Sequence, residues 1–101
     1  MPVTYMTEGG RTEARLSDDP DGQLFERMAN LIAKEFNGRW VEKLDGLDQR
    51  YWDVEIGGLK LTLHSEHYLG ISLFPAKGHE RDSAANRLVR EIGAFLEMTA
   101  A

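Results

Sequence analysis

Trp52-Asp53-Val54-Glu55-Ile56-Gly57-Gly58-Leu59-Lys60-Leu61-Thr62-Leu63-His64 is the stretch that decides the fold. Apolar and polar residues alternate on both sides of a Gly-Gly pair, which is the period of a strand with one buried face. Gly-Gly between two such runs predicts a two-residue hairpin. Pairing Ile56 with Leu59 sets Val54 against Leu61 and Trp52 against Leu63, so six apolar side chains share one face while Glu55 meets Lys60 on the other. A slip of one residue would turn a whole strand inside out, so this agreement specifies the register more firmly than either strand alone.

The following strand obeys the same parity. Leu69, Ile71 and Leu73 join the buried face only across a loop with an odd number of residues. A three-residue turn at Glu66-His67-Tyr68 pairs Leu63 with Ile71 and Leu61 with Leu73, and a five-residue loop also satisfies parity. Upstream, Arg39 to Leu44 predicts a fourth strand, with Leu44 opposite Trp52 and Lys43 opposite Asp53 on the outside. That register leaves Glu42 at an unfavourable inward position on an open edge.

Beyond the strands the period changes to three and four. From Asp19 to Gly38, Leu24, Phe25, Met28, Leu31, Ile32 and Phe36 make one helical stripe broken only by Glu35. Asp19 is the expected N-cap with Pro20 at the first helical position, Asp21 favours the positive end of the dipole, and Asn37-Gly38 closes the helix. A second helix starts near Asp82-Ser83 and gathers Ala85, Leu88, Val89, Ile92, Phe95 and Leu96 on one side. Gly93 inside it costs about 1 kcal/mol relative to alanine, which predicts a close approach to another backbone.

Residues 1–18 fold at Gly9-Gly10 into an extra N-terminal hairpin pairing Val3 with Leu16, Tyr5 with Ala14 and Glu8 with Arg11, or else form a mobile tail. The expected organisation is thus a tail or hairpin over 1–18 and a single α+β domain over 19–101. That domain is a two-layer sandwich in the order α-β-β-β-β-α, a four-stranded antiparallel meander with the N-terminal and C-terminal helices on one face.

The 101 residues carry 17 acids against 12 bases, a net charge of −5, with 42% hydrophobic residues and no cysteine. Such a chain is apolar enough to fold and long enough for one core. Without cysteine, disulfides, zinc ribbons and thiol nucleophiles are excluded, and a reducing, cytoplasmic setting is expected. Net acidity opposes non-specific attachment to nucleic acid or anionic membrane, and no run approaches the ~18 apolar residues of a membrane span. Of the acids, Glu8, Glu13, Asp18, Asp19 and Asp21 fall in residues 1–22 against Arg11 and Arg15 alone, so most of the net charge belongs to that segment.

Motifs with specific chemistry are sparse. His64-Ser65-Glu66-His67, with His79 farther along, concentrates metal-ligand types but lacks the H-E-x-x-H spacing that puts two histidines on one helix face. No serine stands in a G-x-S-x-G elbow, and the best triad, Ser72, His64 and Asp53, would lie on a flat open face with nothing to exclude water. Lys77-Gly78-His79-Glu80-Arg81 leads positive charge to a helix N-terminus, where Asp82 or Ser83 can take the same donors as a cap.

The outer sheet face remains as the candidate surface. Val41, Tyr51, Thr62, His64 and Phe74, with Tyr68 at the adjoining turn, form a modest apolar area for a partner or a second copy, unless Val3, Tyr5 and Leu16 of the N-terminal segment cover it. The expected function is a small non-enzymatic protein-interaction module of bacterial, cytoplasmic style, binding a protein partner or forming a homodimer, with no cofactor, no metal, no nucleic acid and no membrane. In outline only, the shape resembles secretion chaperones and toxin-neutralising immunity proteins. The competing class is a small-molecule or metal-binding protein using the His64, Glu66 and His67 turn.

Overall fold

The computed structural model describes residues 2–99. The chain runs β1 (Thr4–Glu8), β2 (Arg11–Ser17), α1 (Gly22–Phe36), β3 (Arg39–Asp45), β4 (Gln49–Ile56), β5 (Leu59–Glu66), β6 (Gly70–Pro75) and α2 (Ser83–Met98). The strands form one six-stranded antiparallel sheet in the order β1-β2-β6-β5-β4-β3. The expected four-stranded meander is therefore the larger part of a wider α+β sandwich, which the N-terminal hairpin extends at β6.

The β4–β5 hairpin has the register read from its alternation, Ile56 with Leu59, Val54 with Leu61 and Trp52 with Leu63. Gly57 and Gly58 both have positive φ, 56° and 82°, which the tight primed turn between right-twisted strands requires. The N-terminal hairpin likewise pairs Tyr5 with Ala14 and Glu8 with Arg11. It does not cover the outer face. Ala14 and Leu16 are fully buried on the helix side, where α2 holds the hairpin through Thr12 N–H to Asn86 Oδ1 (2.6 Å) and Val3 N–H to Glu97 Oε2 (3.1 Å).

Three expectations about turn, edge register and helix cap are corrected. Between β5 and β6 the loop has three residues, but they are His67-Tyr68-Leu69, so Leu63 pairs with Leu73, Leu61 with Pro75 and Ser65 with Ile71. Parity survives while the register moves by two. Gly70 is the cause: its φ is 93°, and a Cβ there would lie 2.8 Å from Asp18 Cα, so the glycine is needed where β6 meets the end of β2. At β3 a bulge between Trp40 and Glu42 gives Lys43 to Trp52 and Leu44 to Tyr51. The extra residue turns Glu42 outward, which removes the cost of burying its charge, and brings Lys43 Nζ to 4.2 Å from the Trp52 ring centre on the inner side. Finally, α1 is capped by Asp21, which accepts from Gln23 and Leu24 N–H (2.7 and 3.4 Å), while Asp19 accepts from Asp21 N–H one step earlier.

The core lies between the inner sheet face and the two helices. Phe25 and Ile32 of α1 and Val89 and Ile92 of α2 close over Val54, Leu61, Leu63, Ile71 and Leu73, all fully buried. Phe25 meets Trp52 edge-on at 5.0 Å, and Phe36 meets Phe95 at 5.7 Å, which joins the helices. Arg50 closes one end, with its guanidinium over both Phe25 and Trp52 and its Nε donating to Asp45 (2.9 Å). That bond, and a second from Trp52 Nε1, hold the Asp45 carboxyl below the usual carboxylate range. The close approach expected at Gly93 is to a side chain and not to a backbone: a Cβ there would collide with the Tyr5 ring. Burial, reinforced by Glu97 and opposed by Arg90, raises the pKa of that tyrosine hydroxyl.

Candidate functional site

Both helices occupy the inner face, so the alternate side chains of β2, β4, β5 and β6 line a face over which the described residues form no further layer. Pairing in the sheet makes Tyr51 and His64 direct neighbours and sets Phe74 one step along, opposite Thr62. Tyr51 stacks on the imidazole with centroids 4.3 Å apart at an interplanar angle of 14°. His64 meets Phe74 edge-on at 6.0 Å, and the Arg11 guanidinium lies 3.9 Å from the Phe74 ring centre. A continuous row Tyr51, His64, Phe74, Arg11 thus crosses four strands. Cross-strand aromatic and cation–π contacts of this kind contribute about 0.5–1 kcal/mol each, enough to hold rings in place but not to drive folding.

Hydrogen bonds orient the neighbours. Thr62 Oγ1 donates to Asp53 Oδ1 at 2.6 Å and the Tyr51 hydroxyl donates to Gln49. Beside the row is a shallow depression of about 380 Å³ bounded by Glu42, Leu44, Tyr51, Asp53, Thr62, Phe74 and Lys77. The β3 bulge supplies Leu44 to it, 57% exposed.

Burial lowers the pKa of His64, against an opposing pull from Glu66 and Glu13, so the stacked imidazole is disposed to be neutral. Its Nε2 is buried and has no hydrogen-bond partner. Only two other side-chain atoms among the described residues share that condition, Arg11 Nε and Arg15 Nε. Arg11 and Arg15 alternate with the inward-facing Thr12, Ala14 and Leu16 on β2, so all three nitrogens belong to this one face.

Of the residues expected to form the surface, Tyr51, Thr62, His64 and Phe74 come together. Thr62 is almost covered, so its methyl adds little accessible area. Val41 sits in the β3 bulge near the sheet edge, and Tyr68 stands in the β5–β6 turn, 87% exposed, its ring against His67. Arg11, Glu13 and Arg15 were outside the expected set, as were Leu44 and Met6. The alternation Arg11-Thr12-Glu13-Ala14-Arg15-Leu16 carried the signal, but its use required β2 to be placed beside β6.

The triad geometry is not made: Ser72 lies directly across from His64, yet His64 Nε2 bonds to nothing. The residues of the metal reading are dispersed. His64 and Glu66 face outward from β5, His67 is in the turn, and His79 Nδ1 lies 4.0 Å from Asp82 in the loop before α2. Among the described residues no three His, Cys, Asp or Glu side chains are grouped so as to hold a metal ion. At the start of α2 the chain's own acids take the donors. Asp82 caps Ala84 and Ala85 N–H, and Glu80 accepts from Gly78 N–H at 2.7 Å, its carboxyl kept below the usual range by its own N–H and that of Gly78. No helix among the described residues is long and apolar enough to cross a membrane.

A family model described as Protein of unknown function (DUF3630) matches residues 7–92, from within β1 to within α2. No curated protein and no solved structure matches the chain.

Proposed function

The chain belongs to the DUF3630 family of proteins of unknown function, and from its geometry we propose a small, non-enzymatic protein-interaction module that binds a protein partner through the outer face of its sheet. The observation that carries this reading is the coincidence, on that face, of the uncovered Tyr51–His64–Phe74 row with three buried side-chain nitrogens, Arg11 Nε, Arg15 Nε and His64 Nε2, that have no hydrogen-bond partner among the described residues. A buried donor left unpaired costs about 1–3 kcal/mol, and carbonyls or carboxylates of an incoming protein can supply acceptors as the arginine side chains turn off the sheet. Aromatic and arginine side chains are also the types that anchor protein interfaces.

Charge argues for a protein and against nucleic acid: the chain is net −5, and Glu13, Asp53 and Glu55 are interspersed on the face. A toxin-neutralising or secretion-chaperone role in the bacterial cytoplasm is a special case of the same chemistry and would use the same residues. The test is affinity capture from the native cell with the tagged wild type and a Tyr51→Ala/Phe74→Ala variant. A partner retained by the wild type and lost by the folded variant supports the reading. Identical capture by both overturns it.

A further inference from the structure

The β3 bulge does more than turn Glu42 outward. It sets Glu42 directly opposite Asp53, two carboxylates at one cross-strand position of the outer face. Like charges so placed repel, whereas the unbulged register would have set Lys43 against Asp53. The bases of β3 are turned elsewhere: Lys43 lies against the Trp52 ring on the inner side, and Arg39 bonds to Glu55 at 2.8 Å. Asp53 accepts the Thr62 hydroxyl, but among the described residues neither Glu42 nor Asp53 makes an ion pair.

These two carboxylates border the shallow depression of about 380 Å³, whose apolar part is Leu44, Tyr51 and Phe74. Lys77, beyond β6, stands on the rim opposite β3. Tyr51 gives one ring face to His64, which leaves the other toward its β3 neighbour Leu44. An apolar floor with two acids at one end suits a long side chain that is apolar along its stem and positive at its tip. The same sheet face already accommodates that chemistry once, where the Arg11 guanidinium rests 3.9 Å from the Phe74 ring centre.

We propose, on the basis of the outer-face interaction role, that the protein partner is anchored by an arginine side chain laid in this depression. Its methylene stem covers Leu44, its guanidinium plane lies on the free face of Tyr51, and its tip reaches the Glu42 and Asp53 carboxylates. Arginine suits this place better than lysine, because a planar fork can bond two carboxylates while it stacks on a ring, and a point charge cannot do both. Lys77 repels the cation from the opposite rim, which gives the bound residue one direction, and it can donate to a main-chain carbonyl of the partner. The repulsion that the bulge builds into the free protein is thereby relieved on binding.

NMR titration of the isotope-labelled full chain with N-acetyl-arginine amide, and with N-acetyl-citrulline amide as its neutral isostere, tests this. The arginine compound is expected to give saturable shifts at the amides of Glu42, Leu44, Asp53 and Thr62, with an affinity about tenfold above that of citrulline. Glu42→Gln should weaken it about fivefold and leave the urea midpoint no lower than that of the wild type, since a repelling pair is removed. Glu42→Lys should abolish saturable binding. No saturable shift at the depression, equal binding of citrulline, or unaltered binding by the two Glu42 variants would each overturn the proposal. Partner capture lost on Tyr51→Ala/Phe74→Ala but retained by Glu42→Lys would overturn the arginine anchor and leave the outer-face role standing, and identical capture with arginine amide still bound at Glu42 would do the reverse.

Discussion

The two faces of the sheet solve opposite problems with the same alternation. The inner face presents Val54, Leu61, Leu63, Ile71 and Leu73, fully buried under two helices. The outer face presents rings, charges and hydroxyls in a row only partly satisfied by one another, and among the described residues it alone holds buried side-chain nitrogens without partners. An apolar face minimises its free energy within the chain. A face of aromatic and guanidinium groups left short of acceptors still has interaction free energy to gain from outside, which is why the inner face explains stability and the outer one is the candidate for function.

Substitutions can break that contrast, and the inner face should give the largest effects. Leu63→Ala leaves a cavity in the centre of the core and should cost about 2–5 kcal/mol in urea unfolding, with the midpoint falling sharply. Gly70→Ala should follow, at more than about 1–3 kcal/mol, because its positive φ and its contact with the Ser17–Asp18 backbone both oppose a side chain. Hydrogen exchange should then show the β2–β6 junction opening before the β4–β5 hairpin.

Smaller effects belong to the outer face. The folded pKa of His64 lies below its unfolded value, so the unfolded chain binds more protons as the pH drops through about 6.5 toward the lower folded pKa. Stability should therefore be full above that window and decline within it. His64→Gln should flatten that part of the urea midpoint against pH, and an unchanged slope would show that the imidazole is not held neutral by burial. Smallest of all, Tyr51→Ala should change the unfolding free energy by under about 1 kcal/mol, since the ring is exposed on one side. A loss as large as that of Leu63→Ala would erase the distinction between the faces.

The particular elements show how far reading along the chain could go. The β4–β5 hairpin was legible in pairing detail because Gly57-Gly58 gives a short turn and the flanking alternation tolerates no slip, whereas the N-terminal pairing about Gly9-Gly10 stood beside a mobile tail, because a lone polar hairpin is marginal until it docks. The β5–β6 turn was legible only to parity. Leu69 looks like a core residue in sequence, and its place in the turn follows from the backbone approach at Gly70. The β3 bulge was foreshadowed by the awkward inward Glu42, although which residue is inserted depends on how Lys43 and Asp45 meet Trp52 and Arg50. Of the candidate site, Tyr51, His64 and Phe74 followed from cross-strand pairing, whereas Arg11 and Arg15 did not.

Periodicity and turn chemistry, both local, were thus sufficient for the two helices, for the sidedness of the central strands and for an exposed aromatic face. Long-range contacts decided the rest: that β2 docks beside β6, that Gly93 makes room for Tyr5, and that Arg11 comes to rest on Phe74. The physical reason is that alternation dictates which way a side chain points, while sheet order and the identity of its neighbours depend on the packing of segments distant in the chain.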